Sequence, residues 1–145
     1  MRSFLFSVTP LVVALGVVGA ATAAFAVQDQ PFTVGDVTAV CTGVGSSKDN
    51  PEWSSYPVKL VLANTAGENL AAAHFTVTRN GQEVLKTHCD APWLLLKGPA
   101  GAYTATAMVG EAGRQAKSAS FNAASGPQRE VTLMFPAASQ LAAAQ

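Results

Sequence analysis

Charge of either sign is scarce in this sequence. Nine basic and nine acidic residues are spread through 145, they cancel, and no run of lysine or arginine occurs. A surface without a basic stripe has little with which to neutralise a phosphate backbone or an anionic bilayer, so nucleic acid and acidic membrane are poor candidates as partners. Histidine is limited to His74 and His88, and cysteine to Cys41 and Cys89. The cysteines lack C-x-x-C spacing, which leaves little basis for a zinc site. No G-x-S-x-G elbow presents a nucleophilic serine, and neither histidine has an evident serine partner. Gly43-Val44-Gly45 is not followed by a helical pattern, so a phosphate cradle is unsupported. An acid-pair hydrolase needs two carboxylates in one pocket. Asp90, the best acidic candidate, reads more simply as a turn former, because aspartate bonds the backbone two residues on. These absences point away from an enzyme: no catalytic residue is nominated and no cofactor is expected.

What the chain does have begins with an apolar leader. Arg2 supplies a positive start, FLFSVTPLVVALGVVGAATA an apolar centre, and Ala24-Phe25-Ala26 the small-x-small pattern of a signal-peptidase site. The expected domain map is residues 1–26 as signal peptide, 27–136 as one β-sandwich domain and 137–145 as a flexible tail. A retained membrane helix is the rival reading, since the run could almost span a bilayer. Pro10, the small residues at the end of the run and the absence of a basic stop after Ala26 oppose it. Cleavage would leave 145 − 26 = 119 residues, with eight basic and nine acidic side chains once Arg2 is gone. The expected location is periplasmic or secreted, with no stable membrane anchor after cleavage.

Both cysteines fall in the exported part, where two thiols usually pair. A Cys41–Cys89 disulfide would close a loop of 89 − 41 = 48 residues. Chain entropy assigns such a closure roughly 4 kcal/mol when the native geometry is unstrained.

Alternation then sets the architecture. Val27 to Pro31 reads as a flexible lead-in. Thr33 to Thr42 reads as one strand, with Val37, Ala39 and Cys41 on a common face. Val58 to Leu62 suits a central strand, and Asn64 to Asn69 a turn. Phe75 and Val77 alternate with polar neighbours, and Asn80-Gly81 is the strongest hairpin signal in the chain. The return strand, Glu83 to Cys89, needs an odd loop or a bulge, because only then do Leu85 and Cys89 share a face with Phe75 and Val77. WLLLK, the corner Gly98-Pro99-Ala100-Gly101 and YTATA follow, with Gly98 and Gly101 read as sites of positive φ. Arg114 to Asn122 and Arg129 to Phe135 complete eight candidate strands, with Gly113 and Gly126-Pro127 in the last turns. Without a convincing amphipathic helix outside the leader, the predicted fold is all-β, an antiparallel β-sandwich of seven to eight strands.

The run TRNGQEVLKTHCDAPWLLLKGPAGAYTATAMVGEAGRQAKSASF resembles the prealbumin-like repeat of carboxypeptidase regulatory-like domains. There a strand, a T-x-D-x-x-G turn, an apolar strand and a PPGxYxVxA corner follow in that order; here CDAPW stands at the turn and GPAGAYTATA at the corner. The set of GVG, the Trp/Tyr loop, KLVLA and DAPWLLLK is similar to small exported bacterial proteins carrying this domain, over most of residues 38–135. The resemblance implies a transthyretin-like, immunoglobulin-like sandwich with an accessory or binding role. It does not imply peptidase activity, because the enzyme's zinc-ligand motif is absent. Cys41 and Cys89 lie outside the general pattern, so their pairing rests on compartment.

Two surfaces are nominated. The long segment GVGSSKDNPEWSSYP carries Trp53 and Tyr56, and Trp93 lies near the corner; aromatic anchors dominate interfaces, so these three are the candidate binding residues. The plainer reading makes the segment a lid on the core. His74 and His88 fall on an outward face and, in one register, stand opposite each other, which would suit a transition metal; ordinary exposed positions are the default. The expected function is an exported, non-catalytic module that binds an envelope protein or glycan through residues 43–57 or a sheet edge. The alternatives are a structural, envelope-maintenance protein or, less favoured, a metal binder.

Overall fold

The computed structural model describes residues 24–110 and 115–137. Among these described residues ten strands follow one another: β1 (Ala24–Phe25), β2 (Phe32–Val34), β3 (Val37–Thr42), β4 (Val58–Asn64), β5 (Ala73–Arg79), β6 (Gln82–Cys89), β7 (Trp93–Lys97), β8 (Gly101–Val109), β9 (Gln115–Ala123) and β10 (Arg129–Phe135). They form two five-stranded sheets, sheet A in the order β1-β6-β5-β8-β9 and sheet B in the order β10-β4-β7-β3-β2. Among the described residues helix is confined to two 3-10 turns, Gly45–Asp49 and Pro51–Ser55, and no helix is long and apolar enough to cross a membrane. The protein is an all-β sandwich. The first expected strand covers β2 and β3, the other seven are β4 to β10, and β1, at Ala24–Phe25 of the expected leader, adds a short edge. Residues 1–23 of the expected leader, the Gly113 turn with Arg114, and residues 138–145 of the expected tail lie outside the described residues.

The inward faces follow the alternation. Val37, Ala39 and Cys41 from β3, Phe75 and Val77 from β5, Tyr103, Ala105 and Ala107 from β8, and Leu133 and Phe135 from β10 share one core. Leu60, Leu62 and Leu94, each with no exposed surface, fill it from sheet B. The Cys41–Cys89 disulfide crosses this core with Cα atoms 5.6 Å apart, so it ties β3 of sheet B to β6 of sheet A. The β5–β6 hairpin carries the required irregularity. Asn80 and Gly81 take φ of +51° and +82°, the two-residue turn that matches strand twist. The pairing then slips between Val77↔Leu85 and Thr78↔Glu83, leaving Val84 as a bulge and returning Leu85 and Cys89 to the core face.

Five expectations change. Thr33 to Thr42 is a hairpin and not one strand: Val34 pairs with Val37 around Gly35-Asp36, which brings the Thr33 and Thr38 hydroxyls to 3.1 Å. The lead-in is tied down, since Asp29 N donates to Cys41 O and Asp29 Oδ1 accepts from the Thr42 hydroxyl at 2.7 Å. Ala137, placed in the tail, is buried and donates its N–H to Thr65 Oγ1. Neither Gly98 nor Gly101 has positive φ. Gly98 is closely packed: a Cβ there would lie 3.1 Å from the Tyr103 hydroxyl and 3.2 Å from Val37 Cγ2, so these side chains would have to yield by a few tenths of an ångström. That hydroxyl donates to Pro99 O at 2.6 Å and locks the corner. Finally, β10 pairs with β4 in parallel along its whole length, from Arg129↔Val58 to Phe135↔Asn64. The chain leaves β9 at the edge of sheet A and crosses to sheet B, so β10 arrives from the same end as β4.

At the opposite end from the disulfide, Arg79 of β5 makes two hydrogen bonds to Asp36 in the β2–β3 turn, at 3.1 and 2.9 Å. These bonds hold the Asp36 carboxyl below its ordinary range and push the Arg79 guanidinium higher. Asp36 is exposed and Arg79 half-buried at the edge of the sandwich, so the pair fixes the turn more than it stabilises the fold.

Candidate functional site

The outward face of sheet B is not left to solvent. Alternation would turn Val40, Val61 and Leu95 outward, yet Val40 and Leu95 have no exposed surface. Residues 43–57 cover them, and Trp53 and Tyr56 form with Val40 and Leu95 a second, smaller apolar cluster. The two rings meet edge to face with centroids 6.2 Å apart. Trp53 satisfies its indole N–H by donating to Ser47 O at 2.7 Å. Asn50 caps the second 3-10 turn by accepting from Glu52 N, and Pro51 opens that turn with its φ already set. From the far end of the chain Gln128 Nε2 donates to Trp53 O and Tyr56 O at 2.7 and 3.0 Å, and Arg129 N donates to Pro57 O. The segment is therefore a clamped third layer. Burial pushes the Tyr56 phenol above its ordinary range, and the nearby Glu52 charge adds to this.

Trp93 sits at the mouth of this layer, half-buried. Lys59 Nζ stands 3.6 Å from its ring centroid and 3.2 Å from Glu130 Oε2, a cation shared between an indole face and a carboxylate. Gly43, at φ +106°, rests against the same ring: a Cβ there would lie 2.6 Å from Trp93 Cδ2. The segment thus begins where only glycine can pass.

Between the segment and the sheet lies an open cleft of about 200 Å³. Trp53, Trp93 and Leu95 give its apolar wall; Lys48, Asp49 and Asn50 come from the segment, Lys59 from β4, and Gln128 from the approach to β10. Donors and acceptors of both charges converge on a small space beside two indoles. Of the three nominated aromatics, Trp53 and Trp93 line this cleft, and Tyr56 lies behind it, against a separate shallow groove with Ser55 and Lys97. Sequence reasoning found the rings and missed the polar partners. Lys48 and Asn50 stand within the singled-out segment, whereas Gln128 reaches it across 75 residues and carries no local signal.

The outward face of sheet A is different. Thr104 pairs with Ser120 and Thr106 with Ser118, their hydroxyls 3.0 and 2.7 Å apart, with Thr76 and Thr78 in the next strand of the same rows. At the end of this face His74 and His88 are directly opposed, with ring centroids 4.5 Å apart. His88 Nε2 lies 2.8 Å from Asp90 Oδ1. The Asp90 carboxylate, expected to serve a turn, is thus engaged with an imidazole. Among the described residues no group of three or more histidine, cysteine, aspartate or glutamate side chains could hold a metal ion. No protein-family model matches this chain, and no curated protein matches it.

Proposed function

We propose that the chain is an exported, non-catalytic binding module of the prealbumin-like, carboxypeptidase regulatory-like type, and that it holds a glycan of the cell envelope in the cleft beneath residues 43–57. The observation that carries this reading is the clamped segment itself. Loops of this length in compact domains are commonly functional or mobile, and this one is fixed by buried aromatics and by Gln128 while its charged and amide groups stay at the surface. A cleft of about 200 Å³ suits one sugar ring and not a drug-sized ligand. Paired donors and acceptors beside an indole match the alternating hydroxyl and C–H surfaces of a saccharide. With Lys48 and Lys59 offset by Asp49 and Glu130, the cleft favours a neutral or weakly charged unit.

The test is titration of the exported chain with soluble envelope glycan fragments, followed by amide chemical shifts. Shifts confined to residues 48–54, 59, 93 and 128, and lost in a K48A/N50A variant that keeps its denaturant midpoint, support the reading. No saturable shift at millimolar fragment, or shifts centred elsewhere, would sink it. A structural, envelope-maintenance role is the second reading, favoured by the burial of Trp53 and Tyr56 to 6% and 7% exposure. W53A/Y56A that loses only stability, with no partner lost in crosslinking, supports that reading.

A further inference from the structure

Among the described residues a single buried side-chain polar atom lacks a hydrogen-bond partner, and it is Nδ1 of His88. An orphan of this kind calls for an explanation, because buried donors and acceptors are otherwise satisfied. Its surroundings suggest one. The carboxylate of Asp90 can only accept, so the 2.8 Å contact puts the proton on His88 Nε2. In the neutral imidazole Nδ1 then carries the free lone pair. A carboxylate behind one ring nitrogen with the other left as a lone-pair donor is the outer-shell arrangement of metal-binding histidines. His74 is the cross-strand neighbour, its ring centroid 4.5 Å from that of His88. The β5–β6 register sets the two opposite each other, and the bulge at Val84 fixes that register.

The geometry points to a two-histidine site for a divalent transition ion, with His74 and His88 as nitrogen ligands and Asp90 as the positioning residue that orients His88. Among the described residues no third histidine, cysteine, aspartate or glutamate joins them, so the remaining positions are assigned to water. Two imidazoles with open positions suit a tetragonal ion, and Cu²⁺ heads the affinity order for nitrogen donors. The site lies on sheet A and is independent of the cleft on sheet B.

The experiment is Cu²⁺ titration of the full chain, which keeps the β1 strand paired with His88, read by visible absorption and by electron paramagnetic resonance. The expected result is one ion per chain with hyperfine splitting from two nitrogens. H74A and H88A should each abolish that signature. D90N should weaken affinity roughly 10- to 100-fold while circular dichroism stays unchanged, since outer-shell partners contribute on that scale. Binding in the H74A/H88A double variant equal to the wild type would overturn the site. A wild-type spectrum without two-nitrogen splitting would do the same, and unaltered affinity in D90N would remove Asp90 from it.

Discussion

The two outward faces of this sandwich are made from the same element and treated in opposite ways. Sheet A shows solvent a grid of threonine and serine, with partners hydrogen-bonded across strands. Sheet B shows solvent almost nothing at its centre, because residues 43–57 lie over Val40 and Leu95. The difference is written in the strands beneath. TATA in β8 and FTVT in β5 alternate, as a half-solvated antiparallel sheet requires, whereas WLLLK in β7 and VKLVL in β4 are nearly continuous apolar runs, as a strand covered on both sides requires. An unbroken apolar strand in a small sandwich therefore announces a third layer before that layer is located.

Substitutions should break this contrast unequally. W53A removes the main anchor of the covering segment and should cost about 3–5 kcal/mol in denaturant unfolding, the range for deleting a buried aromatic. A loss no larger than that from a surface threonine would mean that the segment is not a packed layer. G43A should cost about 1–3 kcal/mol, since it combines strained backbone with a Cβ placed 2.6 Å from Trp93. Much of that loss should return in a G43A/W93L double variant, and equal losses in both would leave only the backbone contribution.

Alkaline titration gives a smaller effect. Burial raises the Tyr56 pKa above its unfolded value of about 10, so the folded state holds its proton longer. Stability from this group is complete below about pH 10 and is lost as pH rises towards the folded value. The wild type should therefore lose denaturant midpoint more steeply than Y56F as pH rises above about 10. Parallel curves would place the phenol in water. Least of all, T104A and T106A on sheet A should each stay within about 0.5 kcal/mol of the wild type.

Much of the fold was legible because it rests on local periodicity. Asn80-Gly81 demanded a hairpin, and the facing of Leu85 demanded the bulge that Val84 supplies. The missed hairpin at Gly35-Asp36 had a signal too. Thr33-Val34 and Val37-Thr38 mirror each other about Gly35-Asp36, and two valines three apart cannot share a face of one strand. At the candidate cleft, legibility stops where partners become distant. Trp53 drew notice by its size, but Gln128 is an ordinary polar residue until the crossing into β10 brings it beside the segment. Asp90 stood two residues from His88, yet aspartate before Ala91-Pro92 fits a turn equally well by composition.

The parallel partnership of β10 with β4 also orders events in time. Val58 waits for Arg129, 129 − 58 = 71 residues later, so β4 keeps one bare edge until nearly the whole chain is present. Closing so large a loop is slow, and an unpaired apolar strand invites the wrong neighbour meanwhile. A chain cut short before residue 128 would lack both the seal from β10 and the Gln128 clamp that holds the lid over sheet B, and should aggregate instead of forming a smaller sandwich.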